Sequence, residues 1–191
     1  MARGEMTMDA DSADVRLLDA AEALFNEHGV QAVGMDAIRS GSGVSLKRLY
    51  QLYPSKDRLV EAVLNRRDMA VRAELAAFLE PCGDPRERVL AVFDYLDAWF
   101  RRDDFRGCTF INTFGELGGV NDSVAQIART HKAAFLACLR ELVAAAGEPA
   151  ALADQLVILA NGAMATAAIT GSPDPALQAR AAAVVLLDAA G

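Results

Sequence analysis

Between Arg39 and Arg58 the chain concentrates side chains that donate hydrogen bonds and carry positive charge: Arg39, Lys47, Arg48, Tyr50, Gln51, Lys56 and Arg58. This stretch holds five cations and one anion, a net of +4, in a chain whose formal net charge is −7, so the remainder carries −11. Guanidinium and ammonium groups beside an amide and a phenol suit contact with anions and hydrogen bonding to flat acceptor edges. Local sign governs a phosphate surface, so the acidic total does not exclude a polyanionic partner. The other reactive side chains are scattered. Cys82, Cys108 and Cys138 are odd in number and widely spaced, and His28 and His131 stand apart from them. No CxxC or Cys/His ligand pattern, nucleophile motif or glycine-rich phosphate loop occurs. No cofactor and no metal site is therefore expected. The thiols read as reduced and buried, in a cytoplasmic protein, with oxidant sensing at Cys108 as the alternative.

The elements that must position the cationic group are two short helices around a tight turn. Gly43 supplies the backbone freedom of the turn, Val44 drops into the core, and Ser45 caps a second helix. Leu49 and Leu52 share one face of that helix, with Val44 and Tyr53 beside them. Lys47, Tyr50 and Gln51 then point away, flanked by Leu46 and Arg48. Pro54 stops the helix and Ser55 caps the next. A short helix that buries one face and offers Lys, Arg, Tyr and Gln on the other is what a helix-turn-helix lays in a DNA major groove.

The pattern Ile-x-x-x-x-Gly-Val-Ser-x-x-x-Leu-Tyr-x-x-Tyr-Pro-Ser-Lys, running from Ile38 to Lys56, resembles the DNA-binding signature of TetR-type transcriptional regulators, and the resemblance extends from about Val15 to Val63. Two positions depart from it: Arg39 stands where the family has a small residue, and Lys47 where it has Gly or Pro. Arg39 either adds a phosphate contact or tilts the first helix. The resemblance implies an all-α fold: an N-terminal three-helix DNA-binding bundle, a long connector helix, and a C-terminal helical domain for ligand binding and dimerisation. It implies contacts to double-stranded DNA through Arg39, Ser45, Leu46, Lys47, Arg48, Tyr50, Gln51, Tyr53 and Lys56. Lys56 and Tyr50 would meet phosphates, and Lys47, Arg48, Gln51 and Leu46 base edges.

Composition and periodicity agree with helices throughout. Apolar residues make up 53% of the chain, alanine is abundant, and aromatic residues account for 6%. Residues 1–11 read as a disordered N-terminus, 12–56 as the DNA-binding domain and 57–191 as the effector and dimerisation domain. Leu17, Leu18, Ala21, Leu24 and Phe25 form a stripe on a first helix ending at Gly29. A short helix spans about Met35 to Ser40, and a long one runs from Ser55 to about Glu80. Pro81-Cys82-Gly83-Asp84-Pro85 is the clearest break. Further helices follow over about Pro85–Arg102, Asp122–Ala146, Glu148–Thr170 and Asp174–Ala190, with an irregular connection around Cys108–Leu117. The acidic N-terminus lacks a signal peptide pattern, and Asp154, Gln155 and Asn161 interrupt the richest apolar stretch, so no membrane partner is expected.

Two clusters carry alternatives. Leu152, Leu156, Val157, Leu159, Ala160, Ala163 and Met164, with Leu177, Ala181, Val184 and Val185, make the last two helices apolar nearly all round. They are either an ordinary core or a self-association surface, and the resemblance implies a homodimer built on a four-helix bundle. Phe93, Leu96, Trp99, Phe100, Cys108, Phe110, Ile111, Asn112, Phe114, Glu116, His131, Phe135 and Cys138 form either a filled core or the lining of a site for a small, mostly apolar effector. Glu116, His131 or Asn112 would orient such a ligand. The reading is a homodimeric regulator, a repressor in the usual case, released from a palindromic operator by the effector. Competing classes are a cysteine-based redox regulator, a helical protein-interaction module, and an enzyme using His131 with Cys108 or Glu116.

Overall fold

The computed structural model describes residues 2–190, with side chains from Ser12 onward, and is all-α among them. The helices are α1 (Ala2–His28), α2 (Met35–Ser42), α3 (Leu46–Leu52), α4 (Lys56–Leu79), α5 (Pro85–Phe100), α6 (Thr109–Leu117), α7 (Asp122–Ala145), α8 (Ala151–Thr170) and α9 (Asp174–Ala190). The backbone of α1 takes in residues 2–11, which composition assigned to a disordered tail. The Cys108–Leu117 connection is also more regular than expected, because Thr109–Leu117 closes into helix despite its glycine.

Contacts divide the chain into two units. The first holds the chain up to Arg67 together with Thr109–Ile127, and the second holds Asp68–Cys108 and the chain from Ala128 on. The division expected at residue 56 therefore falls eleven residues later, within the unbroken α4, and α6 joins the first unit. Glu116, described below, ties α6 to the first unit.

The first unit is built on Leu17, Ala21, Ile38, Leu49 and Leu59, all fully buried, with Val60, Val63 and Leu64 of α4 beside them. Arg66 on α4 binds two carboxylates of α1, Asp19 at 2.7 Å and Glu22 at 2.5 Å. Tyr53, just past α3, is buried and donates its hydroxyl to Asp14 Oδ1 on α1 at 2.6 Å. Burial first, and then the bond and charge of Asp14, push the phenol well above its usual range.

In the second unit α8 packs on α9, and both pack on α5. Ala153, Ala160, Ala163 and Ala167 of α8 and Ala176, Ala179 and Ala183 of α9 are buried in this packing, and side chains this small suit close helix contact. Asp84 caps α5 by accepting from the Glu87 N–H at 2.9 Å, ahead of Pro85 in the first turn. Leu152, Leu156, Ala160, Ala163 and Met164, read as candidates for self-association, lie in this core. Val157, Leu159 and Val184 are half-buried, and only Leu177, Ala181 and Val185 of the group are exposed. The exposed side of α8 instead carries Ile158 and Ile169, 71% and 85% accessible. By length and composition α8 could cross a membrane even with its polar residues, but its Leu152–Leu156–Ala160 face is the core of this unit.

The Tyr53–Asp14 bond gives a stability prediction. Tyr53→Phe should cost about 1.5 kcal/mol in urea denaturation, the range of a hydrogen bond to a charged acceptor. The raised phenol makes that advantage complete below the pKa of an unfolded tyrosine, about 10, and lost as pH climbs through the folded value. The difference between wild type and Tyr53→Phe should therefore be larger at about pH 8 than at about pH 11.

Candidate nucleic-acid interface

The geometry of the helix-turn-helix follows from three adjacent residues. Gly43 ends α2 in the left-handed region, φ +65°, and donates its N–H to Arg39 O at 3.1 Å. A Cβ there would meet nothing within 4 Å, so the conformation and not space demands glycine. Val44 is buried behind the turn, and its N–H is satisfied by Ser42 Oγ at 3.3 Å. Ser45 then caps α3, its Oγ accepting from the Arg48 N–H at 3.3 Å.

With Leu49 fully buried beneath it, α3 presents Leu46, Lys47, Tyr50 and Gln51 outward, Leu46 and Tyr50 being 45% and 47% accessible. Arg48 is half-buried on the flank. Lys47 and Arg48 make no ion pair among the described residues, which leaves their charge available. Other expected contacts are differently placed. Tyr53 is buried with its hydroxyl on Asp14, so it secures α3 to α1 and does not face the surface. Arg39 lies 3.7 Å from Asp36, a weak exposed pair that partly offsets its charge. Lys56 opens α4, and its Nζ lies 3.4 Å from Gln31 O. Leu52 is only half-buried, unlike Leu49.

The connection between α1 and α2 is held by a residue from the far side of the sequence. Glu116 on α6 accepts from the Val30 N–H at 3.1 Å and the Gln31 N–H at 2.7 Å, and Gln31 Nε2 returns a bond to Glu116 O at 2.6 Å. Gly29 sits at φ +80°, and a Cβ on it would lie 3.0 Å from Glu116 Oε1. Glu116 was expected to orient an effector, but its carboxylate is engaged on this loop. Sequence reasoning missed the pairing because 85 residues separate Gln31 from Glu116.

The remaining effector candidates separate into distinct settings. Phe93, Leu96 and Phe100 are core residues of the second unit, and Phe110 is buried in the first. Asn112 and Phe114 are exposed, whereas Ile111 and Phe135 are half-buried. Trp99, Phe100 and Phe105 form a ring cluster, with Trp99 edge-on to Phe105 at 5.1 Å and Phe100 to Phe105 at 4.7 Å. Phe105 escaped notice because it lies in a loop outside any helical stripe. His131 is buried with Nδ1 2.6 Å from Asp68 Oδ1. Cys138 has its thiol pushed up by burial and then by the charge of Glu141. Cys108 is 5% accessible, with Lys132 Nζ 3.5 Å from its sulfur. Among the described residues no group of His, Cys, Asp and Glu is arranged to hold a metal ion.

Glu116→Ala should leave α3 folded but release the Val30 and Gln31 amides. Their hydrogen exchange should accelerate roughly tenfold or more, while the Leu49 amide keeps its protection. Unchanged exchange at Val30 and Gln31 would show that the carboxylate does not secure the loop.

Residues 17–63 match the family described as bacterial regulatory proteins of the tetR family, and residues 85–183 match the tetracyclin repressor-like C-terminal domain. The fold is similar to that of a TetR-family transcriptional regulator from Streptomyces coelicolor, at 29% identity and a TM-score of 0.87, covering 94% of this chain and 90% of that one. A tetR transcriptional regulator from Streptomyces avermitilis MA-4680 is 35% identical with a TM-score of 0.80, over 93% of this chain and 97% of that one. An uncharacterized HTH-type transcriptional regulator of Mycobacterium tuberculosis is 27% identical over 121 residues, 63% of this chain, and the match spans 60% of that relative's length.

Proposed function

The chain belongs to the TetR family of bacterial transcriptional regulators, and from that premise we propose that it works as a homodimeric, sequence-specific repressor that leaves a palindromic operator when a small, mostly apolar effector binds. The family is one of DNA-binding regulators and not of enzymes. The observation that carries the reading is the outward face of α3, where Lys47, Arg48, Tyr50 and Gln51 stand opposite the buried Leu49. Lys47, Arg48 and Gln51 reach base edges, and Tyr50 and Lys56 meet phosphates on either side. Arg39, at the end of α2, adds a backbone contact. The net negative charge of the rest of the chain disfavours binding of a polyanion elsewhere on the protein.

Two-fold association through the exposed stripe of α8 and α9 supports the palindrome. Ile158, Gly162, Ala165 and Ile169 on α8 continue into Leu177, Ala181 and Val185 on α9, an apolar surface with small residues between the large ones. A four-helix bundle formed there sets two recognition helices about 34–36 Å apart, the spacing of successive major grooves on one face of a duplex. For the response to effector, α6 is the natural intermediary. It starts directly after Cys108, and its Glu116 holds the connection that leads into α2. A displacement of α6 thus reaches the helix-turn-helix through hydrogen bonds already in place, alongside any movement of the long α4.

Selection of bound sequences from random duplex DNA tests the function directly and should return a palindrome. On that palindrome Lys47→Ala and Gln51→Ala should change which bases are preferred. Lys56→Ala should weaken all duplexes alike and reduce the salt slope by about one unit. Unaltered affinity and slope for Lys56→Ala would remove its phosphate role. For assembly, Ile158→Asp or Val185→Asp should convert a dimer to a folded monomer by light scattering, with unchanged circular dichroism and weakened operator binding. A dimer that survives both changes would place the interface elsewhere.

A further inference from the structure

The second unit holds a lysine ammonium with no counter-charge within ion-pair distance among the described residues. Lys132 on α7 is half-buried, and its Nζ donates to Asn161 Oδ1 on α8 at 2.7 Å and approaches Cys108 Sγ at 3.5 Å. Among the described residues it makes no ion pair. Several arginines of the same unit do find a carboxylate: Arg72 faces Asp68, Arg101 faces Asp97, Arg140 faces Asp154 and Arg180 faces Asp94. An amide oxygen and a thiol satisfy hydrogen-bond donors but do not neutralise charge. A partly desolvated ammonium is stabilised by an anion far more than by either. An ammonium has three N–H groups, and the two partners here use two, which leaves one to donate.

The surroundings favour an anion with an apolar body. Trp99, Phe100 and Phe105 form their ring cluster in the same unit, and Phe105 stands three residues before Cys108, at most about 11 Å along the chain. Of the polar groups expected to orient an effector, His131 is committed to Asp68 and Glu116 to the loop before α2, and Asn112 is exposed in the first unit. Lys132 went unnoticed in the sequence, although a lysine four residues from the buried Ala128 and seven from the buried Leu139 on α7 is a readable signal.

We propose that the effector is an amphipathic monoanion, a carboxylate on an apolar body. Its head group takes the remaining donor of Lys132, Asn161 holds the ammonium in place, and its body lies against the Trp99–Phe105 cluster. This deepens the effector reading above and rests on it. A single ammonium matches a single charge, and a cationic ligand would meet like-charge repulsion at Nζ.

The test uses the full chain with decanoate, 1-decanol and decylammonium, and with biphenyl-4-carboxylate against its methyl ester, following Trp99 emission and release of the selected duplex. At least one carboxylate should bind roughly tenfold or more tighter than its neutral counterpart. Lys132→Met should abolish that preference while neutral binding persists, and Lys132→Arg should restore it. Lys132→Gln, which retains a hydrogen bond to Asn161 without the charge, serves if circular dichroism shows that Lys132→Met does not fold. The proposal is overturned if carboxylates bind no tighter than neutral or cationic probes, or if the preference survives loss of the charge. It is also overturned if the preference disappears in Arg88→Gln and not in the Lys132 variants, since Arg88 has a buried Nε with no acceptor. If no probe of any charge changes Trp99 emission or duplex release, the effector reading itself fails and takes the proposal with it.

Discussion

The left-handed peptide at Gly43 is the constraint on which the recognition surface depends. At φ +65° it turns the chain between α2 and α3 while its N–H still closes on Arg39 O. Because the turn is that tight, Val44 points inward and Ser45 falls at the N-cap of α3, where its hydroxyl accepts from the Arg48 N–H. Leu49 is then carried into the core and Lys47, Tyr50 and Gln51 to the outside. Any residue with a Cβ at 43 would pay for a strained backbone despite the open space around it. The chemistry of the surface is thus set by a residue that has no side chain.

Around that turn, the unit is tied together by interactions of long sequence separation. Asp14 receives the Tyr53 hydroxyl, Asp19 and Glu22 receive Arg66, and Glu116 receives the Val30 and Gln31 amides. Each carboxylate is anchored by geometry and not only by exposed charge pairing, which by itself contributes little. The last of these ties brings α6 into the same compact unit as the helix-turn-helix. A helix that follows directly on the second unit at Cys108 is therefore mechanically part of the first.

The same contrast between paired and unpaired charge runs through the chain. In an acidic protein most of the arginines described here find a carboxylate, and their charge is absorbed locally. Lys47 and Arg48 on α3 and Lys132 on α7 do not. The first two lie where a polyanion can reach them. The third is half-buried between an amide and a thiol.

Much of the fold could be read in the sequence because its causes are local. Turn glycines, Ser and Asp caps and the 3.6-residue stripe placed α2, α3, α4, α5, α7 and α9 to within a few residues, and α9 runs over Asp174–Ala190 as expected. The α3 surface was legible for the same reason, since one buried leucine on a capped two-turn helix decides which residues face out. Tyr53 was not, because its partner lies 39 residues away and burial outweighs the hydroxyl's appearance as a surface group. The outer face of α8 was also hidden: with apolar residues on every side, the pattern offers no polar stripe to mark the exterior, and only packing on α5 and α9 leaves Ile158 and Ile169 exposed while burying Leu156 and Ala160. Sequence by itself determined the helices, the turn and which side chains α3 turns outward, because backbone sterics and capping act within a few residues. Tertiary structure alone decided what Glu116, His131 and Lys132 touch, because their partners are brought near only when helices distant in the chain pack together.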